Sequence, residues 1–150
     1  MEQAIQLALE NVRSGRGGPF GAVVVKDSRV IGAGTNLVTS TNDPTAHAEV
    51  VAVRAACVAI RSFQLEDCDL YVTCEPCPMC FGAIYWARIA RVFFGATAGD
   101  AATAGFDDAL IYEQIAIPGN RRKIPFLSLM REEALACFRA WREKADRAQY

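Results

Sequence analysis

Leu70-Tyr71-Val72-Thr73-Cys74-Glu75-Pro76-Cys77-Pro78-Met79-Cys80 begins with strand-forming residues, Leu70 to Thr73, and ends on a proline-led helix start. Pro76 suits the first turn of a helix, where its missing N–H would lack an intrahelical partner anyway. The helix is expected to reach about Ala87, and Arg91 to Gly95 then reads as another strand. Strand, helix and strand in succession argue for an α/β layered sheet. The alternation continues toward the N-terminus. Asn42-Asp43-Pro44 predicts a helix start, with Asp43 as cap, for a helix ending near Arg61. Phe20 to Lys26 and Arg29 to Thr35, joined at Asp27-Ser28, predict a hairpin. Ile5, Ala8, Leu9 and Val12 recur at helical spacing, so residues 2–14 are expected to form an amphipathic helix ended by the Gly15 to Pro19 cluster. Farther on, residues 105–114 predict a short helix, 124–130 an extended segment, and 131–147 a helix with Leu135, Phe138 and Trp141 on one stripe. No repeat or linker divides the chain, which reads as one domain over residues 1–150.

At 150 residues, with 52% hydrophobic and 22% charged side chains, the composition is globular and excludes disorder. Sixteen basic against seventeen acidic groups argue against a strongly cationic nucleic-acid binder. The basic excess within residues 121–150 reads as the solvated face of a terminal helix. Met1-Glu2-Gln3-Ala4-Ile5 has no basic n-region, and no apolar run approaches the ~20 residues of a membrane span. A cytoplasmic protein without a membrane partner is expected.

The chemistry concentrates in two places. His47-Ala48-Glu49 contains the sole histidine, and Cys77 and Cys80, thirty and thirty-three residues on, share one face of a helix. Histidine nitrogen and two thiolates are the ligand types that a catalytic zinc takes when it keeps its fourth position for water. Helix starts favour negative charge and lower thiol pKa values, which helps Cys77 and Cys80 bind metal. Glu49, two residues from His47, can take a proton from such a water and pass it to a leaving group. Other readings remain. A Cys-x-x-Cys pair can be redox-active, and Cys74, Cys77 and Cys80 together can hold a structural metal. An iron–sulfur cluster is disfavoured because no fourth cysteine follows at ferredoxin spacing. Cys57, Cys68 and Cys137 lie in apolar patterns and read as buried thiols.

The combination of His-x-Glu and Pro-Cys-x-x-Cys is the signature of zinc deaminases that act on nucleobases. The chain resembles the cytidine-deaminase-like superfamily, and within it the bacterial-type guanine deaminases over nearly its whole length. The resemblance is carried by Gly17-Gly18-Pro19-Phe20-Gly21-Ala22, Asn42 to Glu49, Cys74 to Cys80 and Gly82 to Arg88. Those first three segments are shared with tRNA adenosine and cytosine deaminases. Ala104-Gly105-Phe106-Asp107-Asp108, Ile124-Pro125-Phe126 and the terminal Tyr150 resemble guanine deaminases specifically.

The resemblance implies a three-layer α/β/α fold with a central mixed sheet. It also implies one zinc per chain, held by His47, Cys77 and Cys80, with Glu49 as proton shuttle. The implied reaction is hydrolysis of guanine to xanthine and ammonia: zinc hydroxide attacks C2, and Glu49 carries the proton to the ring nitrogen and then to the departing amine. Asn36 is implied as a hydrogen-bond partner of the base. Asp107 and Asp108 are implied near the substrate, with Asp108 the better match for a direct role. A homodimer with a swapped C-terminal segment is implied too, with Tyr150 closing the partner's site. Phe20 and Trp86 are candidate flat surfaces for the base, although both residues also suit a core. Asp107-Asp108 equally suits a helix cap, and Asn36 a turn. The alternatives are a deaminase of cytosine, ammeline or tRNA adenosine, and a non-catalytic zinc-stabilised binding module with a closed four-ligand site that includes Cys74.

Overall fold

The computed structural model of the chain describes residues 1–149. It falls into two compact units, Met1–Tyr112 and a second beginning at Glu113.

The first unit is built on a four-stranded mixed sheet: β1 (Gly21–Lys26), β2 (Arg29–Thr35), β3 (Asp69–Cys74) and β4 (Arg91–Ala96), in the order β2-β1-β3-β4. β1 pairs antiparallel with β2 and with β3, whereas β3 and β4 run parallel. The expected hairpin forms at Asp27 and Ser28, both at positive φ (48° and 61°), as a two-residue turn matched to strand twist requires.

Alternation along β1 and β3 assigns the faces. Ala22, Val24, Leu70 and Val72 join Ala48, Ala52, Ala56 and Ile84 in the core, so α3 (Ala48–Ile60) and α4 (Pro78–Trp86) cover that side. Gly21 points the other way, and a Cβ there would strike the Ala4 carbonyl of α1 (Glu2–Arg13). Helix, sheet and helix pair make three layers, as expected. α3 lies unusually close on β2. Gly32 and Gly34 have no room for a Cβ beneath the backbone of Ala48, Ala52 and Ala56.

The helix starts differ from expectation in an informative way. Asp43 does not cap α3. Its Oδ1 accepts the Thr45 amide at 2.8 Å and the Thr45 hydroxyl at 2.7 Å, closing a turn in which Asn42 has φ 51°. α3 therefore begins at Ala48, with His47 as its N-cap residue in extended geometry. α4 likewise begins at Pro78 rather than Pro76, with Cys77 as N-cap. Two short helices were not expected, α2 (Val38–Thr41) and α5 (Ala98–Thr103). The short helix expected at 105–114 forms as α6 (Ala109–Ala116).

In the second unit, a 3-10 turn at Gly119–Arg121 precedes α7 (Arg131–Glu143), which stops short of 147. Residues 124–130 form neither helix nor strand. The Arg122 guanidinium stacks 4.8 Å from the Phe126 ring centroid, and its Nε donates to the Ile117 carbonyl at 3.1 Å. None of residues 113–149 is buried, and Cys137 is exposed rather than buried as expected. Among the described residues, no helix is long and apolar enough to cross a membrane.

Candidate metal centre and catalytic cavity

The delayed helix starts bring the ligands together. His47 and Cys77 are both N-cap residues, so each side chain leaves its helix at the end where backbone N–H groups lack partners. Cys80 follows one turn into α4 and is fully buried. His47 Nδ1 lies 3.5 Å from Cys77 Sγ and 3.6 Å from Cys80 Sγ. Tetrahedral zinc with its usual bond lengths separates a nitrogen from a sulfur ligand by about 3.6 Å. Three ligand atoms within 4.8 Å of one another thus fit one zinc ion.

The three ligand groups are strongly coupled to one another. The Cys80 thiol, hydrogen-bonded to the Cys77 sulfur, is the main influence holding Cys77 down to about 4, with His47 adding to it. The same hydrogen bond pushes the Cys80 thiol up, and Cys77 in turn raises His47. Cys74 stands outside this group. Its thiol donates to the Thr97 carbonyl at 3.5 Å, so the ligand cluster among the described residues has three members. A closed four-ligand site through Cys74 is not what the side chains form.

The cluster opens onto a cavity of about 310 Å³. That is ample for a fused bicyclic base, since small-molecule sites start near ~300 Å³. Glu49, in the first turn of α3, lies on the wall and is 8% exposed. Burial pushes its carboxyl above the ordinary range. Across from the ligands, Gly105 to Asp108 and Ile111 complete the wall.

The two acidic residues have different engagements. Asp107 Oδ1 accepts the amide of Ala109, the first residue of α6, at 2.9 Å. Asp108 is raised, first by burial and then by the nearby Cys77 sulfur. Asn36, at the end of β2, is 9% exposed and lines the cavity. Its Oδ1 accepts the amides of Gly18 at 3.4 Å and Val38 at 3.3 Å. Phe20 also lines the cavity and packs edge-on against Phe106, with ring centroids 4.9 Å apart. Trp86 is not part of the lining. It ends α4 and is 73% exposed. Tyr150 lies outside the described residues.

Sequence reasoning did not single out Glu75 or α5, and both shape the wall. Glu75 Oε2 accepts the Ala98 amide at 3.1 Å, which ties the end of β3 to the start of α5. α5 opens with a capping box between Thr97 and Asp100. The Thr-x-x-Asp spacing was the available signal.

The sequence pattern of the cytidine and deoxycytidylate deaminase zinc-binding region matches residues 1–96. Guanine deaminase of Bacillus subtilis (strain 168) is 54% identical over 150 residues, covering 100% of this chain and 96% of that protein. An X-ray structure of guanine deaminase from Bacillus subtilis is similar with a TM-score of 0.96, covering 99% of this chain and 95% of that one. The tRNA-specific adenosine deaminase of Agrobacterium fabrum (strain C58 / ATCC 33970) is 51% identical, but over 78 residues, 52% of this chain. With all three ligands and Glu49 inside the family pattern, and an end-to-end match at 54% identity, the chain belongs to the cytidine and deoxycytidylate deaminase zinc-binding family, among its guanine deaminases.

Proposed function

We propose that this enzyme hydrolyses guanine to xanthine and ammonia. The observation that carries the reading is an open three-ligand cluster beside a buried glutamate, in a chain that matches a guanine deaminase over its whole length but a tRNA adenosine deaminase over only 78 residues. Zinc held by His47, Cys77 and Cys80 supplies Lewis acidity that can bring the pKa of a water to about 7.

The protein's own groups supply the rest. Glu49, whose carboxyl burial raises, accepts one proton of the attacking water and passes it to a ring nitrogen. It then takes the proton of the hydroxyl now on C2 and delivers it to the departing amine as the C2 carbonyl forms. Water adds at C2, the C2–amine bond breaks, and ammonia leaves. Asn36 has its oxygen committed to two backbone amides, so it offers an N–H to an acceptor on the base. Asp107 is engaged in starting α6, and Asp108 is the carboxylate offered to the N–H donors of guanine. Phe20, braced by Phe106, provides a flat apolar wall.

The test is ammonia release from guanine by purified, zinc-loaded protein, with Glu49→Gln as the blank. Xanthine formed by the wild type alone supports the reading, and no release from folded protein with one zinc per chain rejects guanine.

A second copy of the chain is the proposed partner, contributing its C-terminal segment with Tyr150 over the site. Support comes from the unburied segment 113–149, where Ile124, Leu127 and Leu129 are each more than 70% exposed. Deleting Tyr150 is expected to lower activity with zinc content and melting temperature unchanged, and unaltered kinetics would remove it from the site. The six free cysteines favour a reducing, cytoplasmic setting.

A further inference from the structure

Asn11 sits in the last turn of α1, with a side chain that is 0% exposed, alongside the buried Ala4 and Ala8 of the same helix. Its Nδ2 donates to the Asn36 carbonyl at 2.8 Å and to the Gly18 carbonyl at 3.0 Å. Both amide hydrogens are therefore used, on two separate chain segments that border the cavity. The opposite amide orientation would set oxygen against two carbonyl oxygens, so the assignment is fixed. Its Oδ1 is buried with no partner among the described residues. Burying an amide oxygen in this way is unfavourable, and an apolar side chain at this position would avoid it. The unfavourable group is retained where it holds Asn36.

The contacts close a ring. Gly18 gives its carbonyl to Asn11 and its amide to Asn36 Oδ1. Asn36 gives its carbonyl to Asn11, and its amide donates to the Phe20 carbonyl at 3.1 Å. The ring is tight, because a Cβ on Gly17 would collide with the Asn36 carbonyl and lie 3.1 Å from Asn11 Nδ2. Asn11 itself does not line the cavity.

We propose that Asn11 is a positioning residue for the substrate site: from α1 it clamps Gly18 to Asn36, so that the Asn36 amide keeps its oxygen turned to the backbone and its N–H₂ toward the base. Without the clamp, two carbonyls lose their donor, the Gly18–Asn36 contact loosens, and the Asn36 amide is free to rotate. An interaction made equally with ground and transition states is then weakened, which raises KM more than it lowers kcat.

The assignment of guanine as substrate underlies the kinetic arm of the test, and a second arm does not need it. Asn11→Ala is made in the wild-type and Asn36→Ala backgrounds, with Asn11→Ser as the replacement if alanine does not fold. In zinc-loaded, folded protein, KM for guanine is expected to rise about tenfold, the scale of one weakened hydrogen bond to the base. Turnover is expected to stay within about threefold. In the Asn36→Ala background the same change should leave KM where it was. Hydrogen exchange in the zinc-loaded protein should show the Gly18 and Val38 amides opening about tenfold faster in Asn11→Ala, with Val24 in mid-sheet unchanged. Unaltered KM, an equal rise in both backgrounds, or unaltered exchange at Gly18 and Val38 would each overturn the proposal. If the wild type releases no ammonia from guanine, the substrate reading fails by itself, and the exchange measurement still decides the role of Asn11.

Discussion

Glu49 is the residue whose environment and task agree most closely. Burial lifts its carboxyl, and a proton shuttle works best when its pKa approaches the working pH. Glu49→Gln keeps the size and removes the exchangeable charge. Zinc content should stay at one per chain while turnover falls by roughly 10²–10⁴-fold, the usual range for such a group. Metal analysis alongside ammonia release checks this, and a rate within a few-fold of wild type would exclude the shuttle role. At this scale much of the site was legible. His47, Glu49, Cys77 and Cys80 are chemically unusual and their spacing is informative. Asn11 was not legible, because a lone asparagine in an amphipathic helix reads as an exposed polar position until burial and two carbonyl partners are seen.

Elements were legible in kind and less so in their limits. All four strands were expected close to where they form, since alternating apolar residues and turn signals mark them. The start of α3 was placed too early because a proline after an aspartate signals a turn as readily as a helix, and that of α4 because Pro76 and Pro78 both suit a first turn. That shift of a few residues is what makes His47 and Cys77 N-cap residues. The position of the α3 start depends on how closely that helix packs on β2. A methyl group at Gly34 would lie 2.6 Å from the Ala52 amide nitrogen and 2.9 Å from Val51 Cβ. Gly34→Ala must lift the first turn of α3, between His47 and Glu49. A loss of about 1–3 kcal/mol in urea unfolding is expected, as for other overpacked cores, together with weaker zinc retention. The Thr97–Asp100 box acts on the opposite wall. Two bonds from Thr97, its amide first, hold the Asp100 carboxyl below the ordinary range. A depressed acid stabilises the fold above its unfolded value of about 3.9, and that contribution is lost as pH falls through the folded value. Protection of the Asp100 amide, measured against its intrinsic exchange rate at each pH, should therefore fall at acid pH in the wild type and be low throughout in Thr97→Ala. Removing the cap should cost about 1 kcal/mol.

For the molecule as a whole, the question is whether the metal makes the fold or only completes it. Leu65, Leu70, Val24 and Val72 are at most 1% exposed and lie in a core that contains none of the ligands. A chain of this length buries about 70% of its unfolded surface without help from a metal. The zinc ligands instead pin the start of α3 to the start of α4. Chelation should therefore abolish turnover and leave the far-ultraviolet circular dichroism at 25 °C nearly unchanged. It should still lower the melting temperature, because zinc binds the folded state alone. Free zinc at about a thousand times its Kd contributes about 4 kcal/mol. At roughly 2–4 °C per kcal/mol for a chain of this size, the chelated protein should melt some 8–16 °C lower. Re-adding zinc should restore both melting and turnover. Collapse of the dichroism on chelation would mean that the metal is a structural requirement. The layered core would then be too weak to stand by itself, and the open three-ligand cluster would have to be understood as a fold-making site as well as a catalytic one.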